Sequence, residues 1–187
     1  MKLFLYYNTQ AGVGRGVRRA IADGICKRED VFITTKIAPF AGGNYRDLIR
    51  ACNEELGLSY IDLMLVHQSG SGDQALYGAI EDAVDEGIVR SAGISNYYTP
   101  AEYDRMTKNV RIRPAVIQNE NHLFYQNGNL QSYVVKDGVV IESYYPLGGR
   151  GHTKDSLNHP ALAARVRIHR DSGHRQTGIY PRRSGPL

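Results

Sequence analysis

Two hydrophobic periods alternate along this chain, and that alternation constrains the fold more than any other feature. Short runs rich in β-branched and apolar residues recur roughly every 25 residues: "VFITTK" (31–36), "YIDLMLVH" (60–67), "IVRSAGIS" (88–95), "PAVIQNE" (114–120) and "GVVIESYYPLG" (138–148). Between them, apolar residues fall three and four apart. Residues 45–57 place Leu48, Ile49, Cys52 and Leu56 on one helical face, with Gly57 as a stop. Residues 73–87 read as a helix with Asp73 as N-cap, and 99–109 as a helix that Thr99 caps and Pro100 enters at its first turn. Residues 12–23 and 127–136 complete the set. Strand and helix in strict alternation give a parallel sheet covered by helices.

Two architectures share that pattern, a closed barrel and an open doubly wound sheet. A dinucleotide-binding open sheet wants G-x-G-x-x-G directly after a strand. Here "GVGRGV" has glycines at 12, 14 and 16 and follows no convincing strand, so it reads as the glycine-loosened start of a helix. The polar residues favour the barrel. Lys36, His67, Ser95 with Asn96, Gln118 with Glu120, and Tyr144 all sit at or just past the C-terminal ends of successive strands. One lysine at a strand exit is ordinarily a solvated charge. Hydrogen-bonding side chains at five successive exits point to one mouth, where a (β/α)8 barrel places its site.

Charge excludes an electrostatic case for nucleic acid in the body of the chain. The net charge is +4 over 187 residues, but six arginines and one acidic residue crowd into 165–187, so residues 1–164 carry about −1. The tail has no run of consecutive basic residues interleaved with aromatics, and it reads as a disordered or frame-shifted end. No apolar stretch approaches the roughly 18 residues of a membrane span, and no signal peptide is expected. Cys26 and Cys52 form no CxxC pair and are expected as reduced thiols in a cytoplasmic protein. His67 and His122 lack a third well-placed ligand, so no metal is expected. Glu120 is read as a structural hydrogen-bonding residue.

These strand ends also carry motifs. "VFITTK", "LGLSYIDLMLVHQS", "GISNY", "PAVIQNENH" and "SYYPLG" occur in unbroken order, and together they resemble the aldo-keto reductases. The resemblance implies an α/β fold of TIM (β/α)8 type, here an incomplete barrel with about six of eight strands over residues 1–164 and an atypical C-terminal tail over 165–187. It implies NADPH (NADP) as cofactor and a small carbonyl compound as substrate. Tyr7, in "YYNTQAGVG", aligns with the family's catalytic tyrosine when counted back from Val13-Gly14, and would be the general acid. Lys36 would lower the phenol's pKa, because a nearby ammonium favours the phenolate. His67 would orient the carbonyl. Ser95, Asn96 and Gln118 would hold the nicotinamide carboxamide, and Tyr144 would cover one face of its ring.

The departures are specific. Where the family carries a catalytic aspartate, this chain has Lys2; Gln68 and Ser69 follow His67 in place of tryptophan and proline; Tyr145 replaces a serine. An incomplete barrel would leave sheet edges open to self-association. Two expectations result: a carbonyl-reducing oxidoreductase that uses a nicotinamide cofactor, or a catalytically inactive remnant.

Overall fold

The computed structural model describes residues 9–149. Tyr7, Lys2 and the arginine-rich 165–187 lie outside them. The described residues fall into two units, 9–119 with 127–144, and 120–126 with 145–149.

In the first unit the order is α1 (Gln10–Ala22), β1 (Thr34–Ile37), α2 (Tyr45–Leu56), β2 (Ile61–Val66), α3 (Asp73–Asp85), β3 (Val89–Ser95), α4 (Pro100–Thr107), β4 (Val116–Glu120), α5 (Gly128–Val134) and β5 (Val140–Tyr144). The strands form one sheet in sequence order, with β1–β2, β2–β3 and β3–β4 paired in parallel. Order without crossover, each strand followed by a helix, is the winding of a (β/α) barrel. Five strands of it lie among the described residues.

The helices end where their chemistry predicts. The Asn44 side chain accepts from Arg46 N at 2.9 Å and caps α2, while Gly57 closes that helix in the left-handed conformation at φ 61°. Thr99 and Glu102 form a reciprocal capping box at the start of α4, and Pro100 takes the first helical position. Asp73 departs from expectation. It is the first residue of α3, Gly72 precedes it at φ 85°, and its carboxylate is spent on Gly70 N, Tyr97 OH and Arg105. The glycines of α1 also differ from the expected loosened start. A Cβ on Gly14 would collide with the Leu56 carbonyl, so this glycine allows α1 to pack closely against the end of α2.

The first strand begins at Thr34, three residues later than its β-branched run suggests. The cause is Asp62. Its carboxylate accepts the Ile33 N–H at 2.9 Å, which takes that donor out of the ladder, and Arg28–Asp30 form a 3-10 turn just before.

Register then sorts the two faces. Lys36 pairs with Leu65, Leu65 with Gly93, and Gly93 with Val116. Paired residues of a parallel sheet point the same way, and so do residues two apart. Lys36, His67, Ser95 and Gln118 therefore project from one face, above Leu63 and Leu65. Ile37, Met64, Val66, Ala92, Ile94 and Ile117 project from the other, where they pack with Leu48, Ile49, Cys52, Leu76, Ile80, Tyr103 and Met106 of the helices as the main core. β2 is buried along its whole length, as a central parallel strand should be.

In the second unit, His122 and Tyr125 exchange backbone hydrogen bonds across a tight turn, and His122 Nε2 lies 3.0 Å from Glu120 Oε1. Glu120 is thus a structural partner, as its sequence suggested.

Candidate active site

At one end the inward face carries a polar cluster, and the strands dictate its membership. Lys36 is the penultimate residue of β1, His67 follows β2, Ser95 ends β3, Gln118 lies in β4 and Tyr144 ends β5. Their common end of the sheet is the C-terminal one. The alternation of strand side chains puts four of them on one face, so no long loop is needed to gather them.

Lys36 Nζ donates to Gln118 Oε1, and Gln118 Nε2 donates to Glu142 Oε1 at 2.6 Å. The first of these bonds passes over β2 and β3. A flat sheet would separate β1 from β4 by about 14 Å, so side chains meet across that span over a curled, concave face. Burial pushes the Lys36 ammonium below the ordinary lysine range, and the negative charge of Glu142 pulls it back up. The Lys36 ammonium also lies 5.8 Å from the centroid of the Tyr144 ring.

His67 is buried, with its backbone N–H donating to Ile37 O at 2.8 Å. Burial lowers its pKa, and the positive charge of Lys36 lowers it further. The imidazole is therefore neutral at pH 7, a state with one ring donor and one ring acceptor.

Ser95 is fully buried and its hydroxyl donates to Gln118 O at 2.7 Å. Asn96 adopts φ 58°, a left-handed conformation that asparagine tolerates better than other side-chain-bearing residues. That turn points its amide back across the strand ends. Nδ2 donates to His67 O at 2.8 Å, and Oδ1 accepts from Tyr144 OH at 2.8 Å and Tyr98 OH at 2.9 Å. Asn96 thus ties β2, β3 and β5 together and fixes the edge of the Tyr144 ring.

Of the seven residues expected at the site, six fall on this cluster, and Tyr7 lies outside the described residues. The sequence reading missed Glu142 and Tyr98. Glu142 carried a usable signal, since it stands two residues before Tyr144 in a strand and must share its face. Tyr98 carried none that distinguishes it from an ordinary loop tyrosine.

A carboxamide presents one acceptor and two donors in a plane. The Ser95 hydroxyl and the Asn96 and Gln118 amides carry both kinds of partner at one sheet end, where they now bond to Gln118 O, His67 O, Lys36 and Glu142, and a primary amide held there would exchange for some of these bonds. Among the described residues no group of three or more His, Cys, Asp or Glu side chains is placed to hold a metal, and no helix is long and apolar enough to cross a membrane.

Comparison with known proteins agrees with this fold. Residues 6–169 match the Aldo/keto reductase family. The chain is 32% identical to the NAD(P)H-dependent D-xylose reductase I,II of Candida tropicalis, over 83% of this chain and 58% of that protein. It is 32% identical to the NADP-dependent D-sorbitol-6-phosphate dehydrogenase of Malus domestica, over 80% and 56%. Among solved structures, an aldo-keto reductase from a Medee basin deep-sea metagenome library superposes with a TM-score of 0.73 at 33% identity, covering 84% of this chain and 58% of that one. A Bombyx mori aldo-keto reductase in complex with NADP gives 0.70 at 29% identity, covering 79% and 52%. The chain belongs to the aldo-keto reductase family, and its sheet is part of that family's TIM barrel. It spans a little over half the length of the relatives it matches.

Proposed function

We propose that this chain binds NADPH at the C-terminal ends of its strands and reduces a small aldehyde or ketone. One observation carries the reading: strand register puts Lys36, His67, Ser95 and Gln118 on one face at one end of the sheet. The relatives support it through their names, which are those of nicotinamide-dependent reductases and dehydrogenases of sugars and sugar phosphates.

The residues divide the work by chemistry. Ser95, Asn96 and Gln118 hold the carboxamide, and Tyr144, fixed by Asn96, lays its ring against the nicotinamide. The cofactor supplies a hydride to the carbonyl carbon. The carbonyl oxygen then needs a proton, and the Tyr7 phenol gives it, a role that rests on the alignment of "YYNTQAGVG". A phenol with a pKa near 10 is a slow donor at neutral pH unless a cation stabilises the phenolate. The Lys36 ammonium is that cation. Neutral His67 donates a hydrogen bond to the carbonyl oxygen and aligns the carbonyl for attack. Gln68 and Ser69 follow His67 in the sequence, so the substrate is expected to meet polar neighbours beside it.

The same reading extends to assembly. Phe32, Phe40 and Val140 are exposed apolar residues near β1 and β5, which are the edge strands of the described sheet. Self-association along these edges is expected, and light scattering against protein concentration reads it.

The test is a fluorescence titration of the chain with NADPH, followed by an NADPH-oxidation assay over a panel of aldehydes and ketones. Saturable binding with carbonyl-dependent oxidation is expected. No binding at millimolar NADPH would refute the site. Binding without turnover would favour the inactive reading instead.

A further inference from the structure

We infer that Glu142 is the counter-ion of Lys36, acting across the mouth of the sheet through the Gln118 amide. The inference rests on the proposed site and adds to it a positioning residue that no part of the proposed chemistry uses.

Three observations meet at this relay. First, the connection is continuous: Lys36 Nζ to Gln118 Oε1, and Gln118 Nε2 to Glu142 Oε1 at 2.6 Å. Second, its polarity is fixed. The Gln118 carbonyl oxygen faces the ammonium and its NH₂ faces the carboxylate. The flipped amide would set NH₂ against NH₃⁺ and oxygen against carboxylate, so only one orientation satisfies both ends. Third, the electrostatics favour an anion beside the lysine. Lys36 is half-buried, and burial disfavours its charge, while Glu142 favours it.

Among the described residues, the charged and titratable groups that bear on Lys36 come from two strands. His67, beyond β2, is close enough to feel its charge, and Glu142 on β5 opposes the burial. His67 is neutral at pH 7 and supplies no compensation. The Tyr144 ring, 5.8 Å away, offers only a weak electrostatic face. Among the described residues Glu142 is therefore the group that opposes the burial of Lys36, and the Gln118 bridge aims the ammonium over the mouth. Because Gln118 bridges the two, the same amide sets the reach of the lysine and passes on the pull of the carboxylate.

The test follows the Lys36 ¹³Cε resonance in the full chain labelled with [ε-¹³C]lysine, titrated over about pH 7 to 12. The Lys36→Met variant assigns the resonance. In Glu142→Gln the Lys36 midpoint should fall, in Glu142→Asp it should return part of the way, and in Glu86→Gln, a carboxylate paired with Arg50 on the surface, it should stay put. Gln118→Leu should also lower it, since the bridge is lost while Glu142 remains. Glu142 is exposed, so its variants keep the fold, and backbone amide spectra verify that. An unchanged Lys36 midpoint in Glu142→Gln overturns the inference. Failure of the proposed function has a different mark: the wild-type chain would not bind NADPH, whatever Lys36 does on titration.

Discussion

The two ends of the same strands handle charge in opposite ways. At the N-terminal end, Asp62 is almost wholly buried, and every oxygen it offers is matched. Arg28 lies 2.8 Å away, the Ile33 N–H 2.9 Å, and Arg90 3.8 Å. Both guanidiniums also stack on the Tyr60 ring, at 3.8 and 3.9 Å. At the C-terminal end, an amide stands between the Lys36 ammonium and the Glu142 carboxylate. The first cluster is closed, with opposite charges in direct contact. The second leaves a partly desolvated cation that another group can still engage. Closed networks hold folds together, and open ones are where chemistry happens.

The comparison breaks hardest at Asp62. Asp62→Ala removes the carboxylate partner of the Arg28 guanidinium, 14% exposed, leaves that charge only backbone carbonyls, and orphans the Ile33 N–H, so urea unfolding should show a loss of about 3–5 kcal/mol. Nucleotide affinity measured where the variant is still folded should be unchanged. Equal stability of variant and wild type would mean that the closed cluster holds nothing.

At the other end the order of effects reverses. Lys36→Met should cut turnover by about 10²-fold or more while leaving urea stability unchanged or higher, because a burial-disfavoured charge is removed. Turnover equal to wild type would return Lys36 to the role of a surface lysine. Tyr144→Ala should weaken NADPH binding by roughly tenfold, on the order of 1.4 kcal/mol, through lost ring contact. Tyr144→Phe should lose less, since it keeps the ring and gives up the hydrogen bonds that its hydroxyl makes with Asn96 and Tyr98. Fluorescence titration of both variants separates stacking from anchoring.

The smallest effect is one of pH. His67 has a folded pKa below the ordinary 6.5, from burial and then from the charge of Lys36. The unfolded chain therefore binds this proton more readily, and stability should fall as pH drops through 6.5 and below. In His67→Gln that increment disappears, so the difference in urea stability between pH 7.5 and pH 5.5 should shrink. An unchanged difference would mean that His67 titrates as it does in the unfolded chain.

Much of this is legible in the sequence. Period and spacing located the strands, and the polar residue at each strand exit located the cluster, because strand alternation decides facing without tertiary information. Two acidic residues were passed over, although both broke a pattern. Asp62 interrupts the apolar run of β2, and Glu142 stands in β5 two residues from Tyr144. A carboxylate in a buried strand implies a partner, but Arg28 lies 34 residues upstream of Asp62 and nothing local names it. The late start of β1 has the same kind of cause, since a distant side chain takes the Ile33 N–H. The bond from β1 to β4 depends on curvature, which no period encodes.

The central claim is that the C-terminal strand ends form one nicotinamide site. Side-chain amide NMR reads it most directly, because Asn96 and Gln118 each carry an NH₂ signal at that end, while Asn53 carries one near the far end of α2. Titration with NADPH should shift the Asn96 and Gln118 signals together, with one saturation curve, and leave Asn53 in place. Saturating NADPH that moves Asn53, or that leaves Asn96 and Gln118 where they stood, would contradict the account.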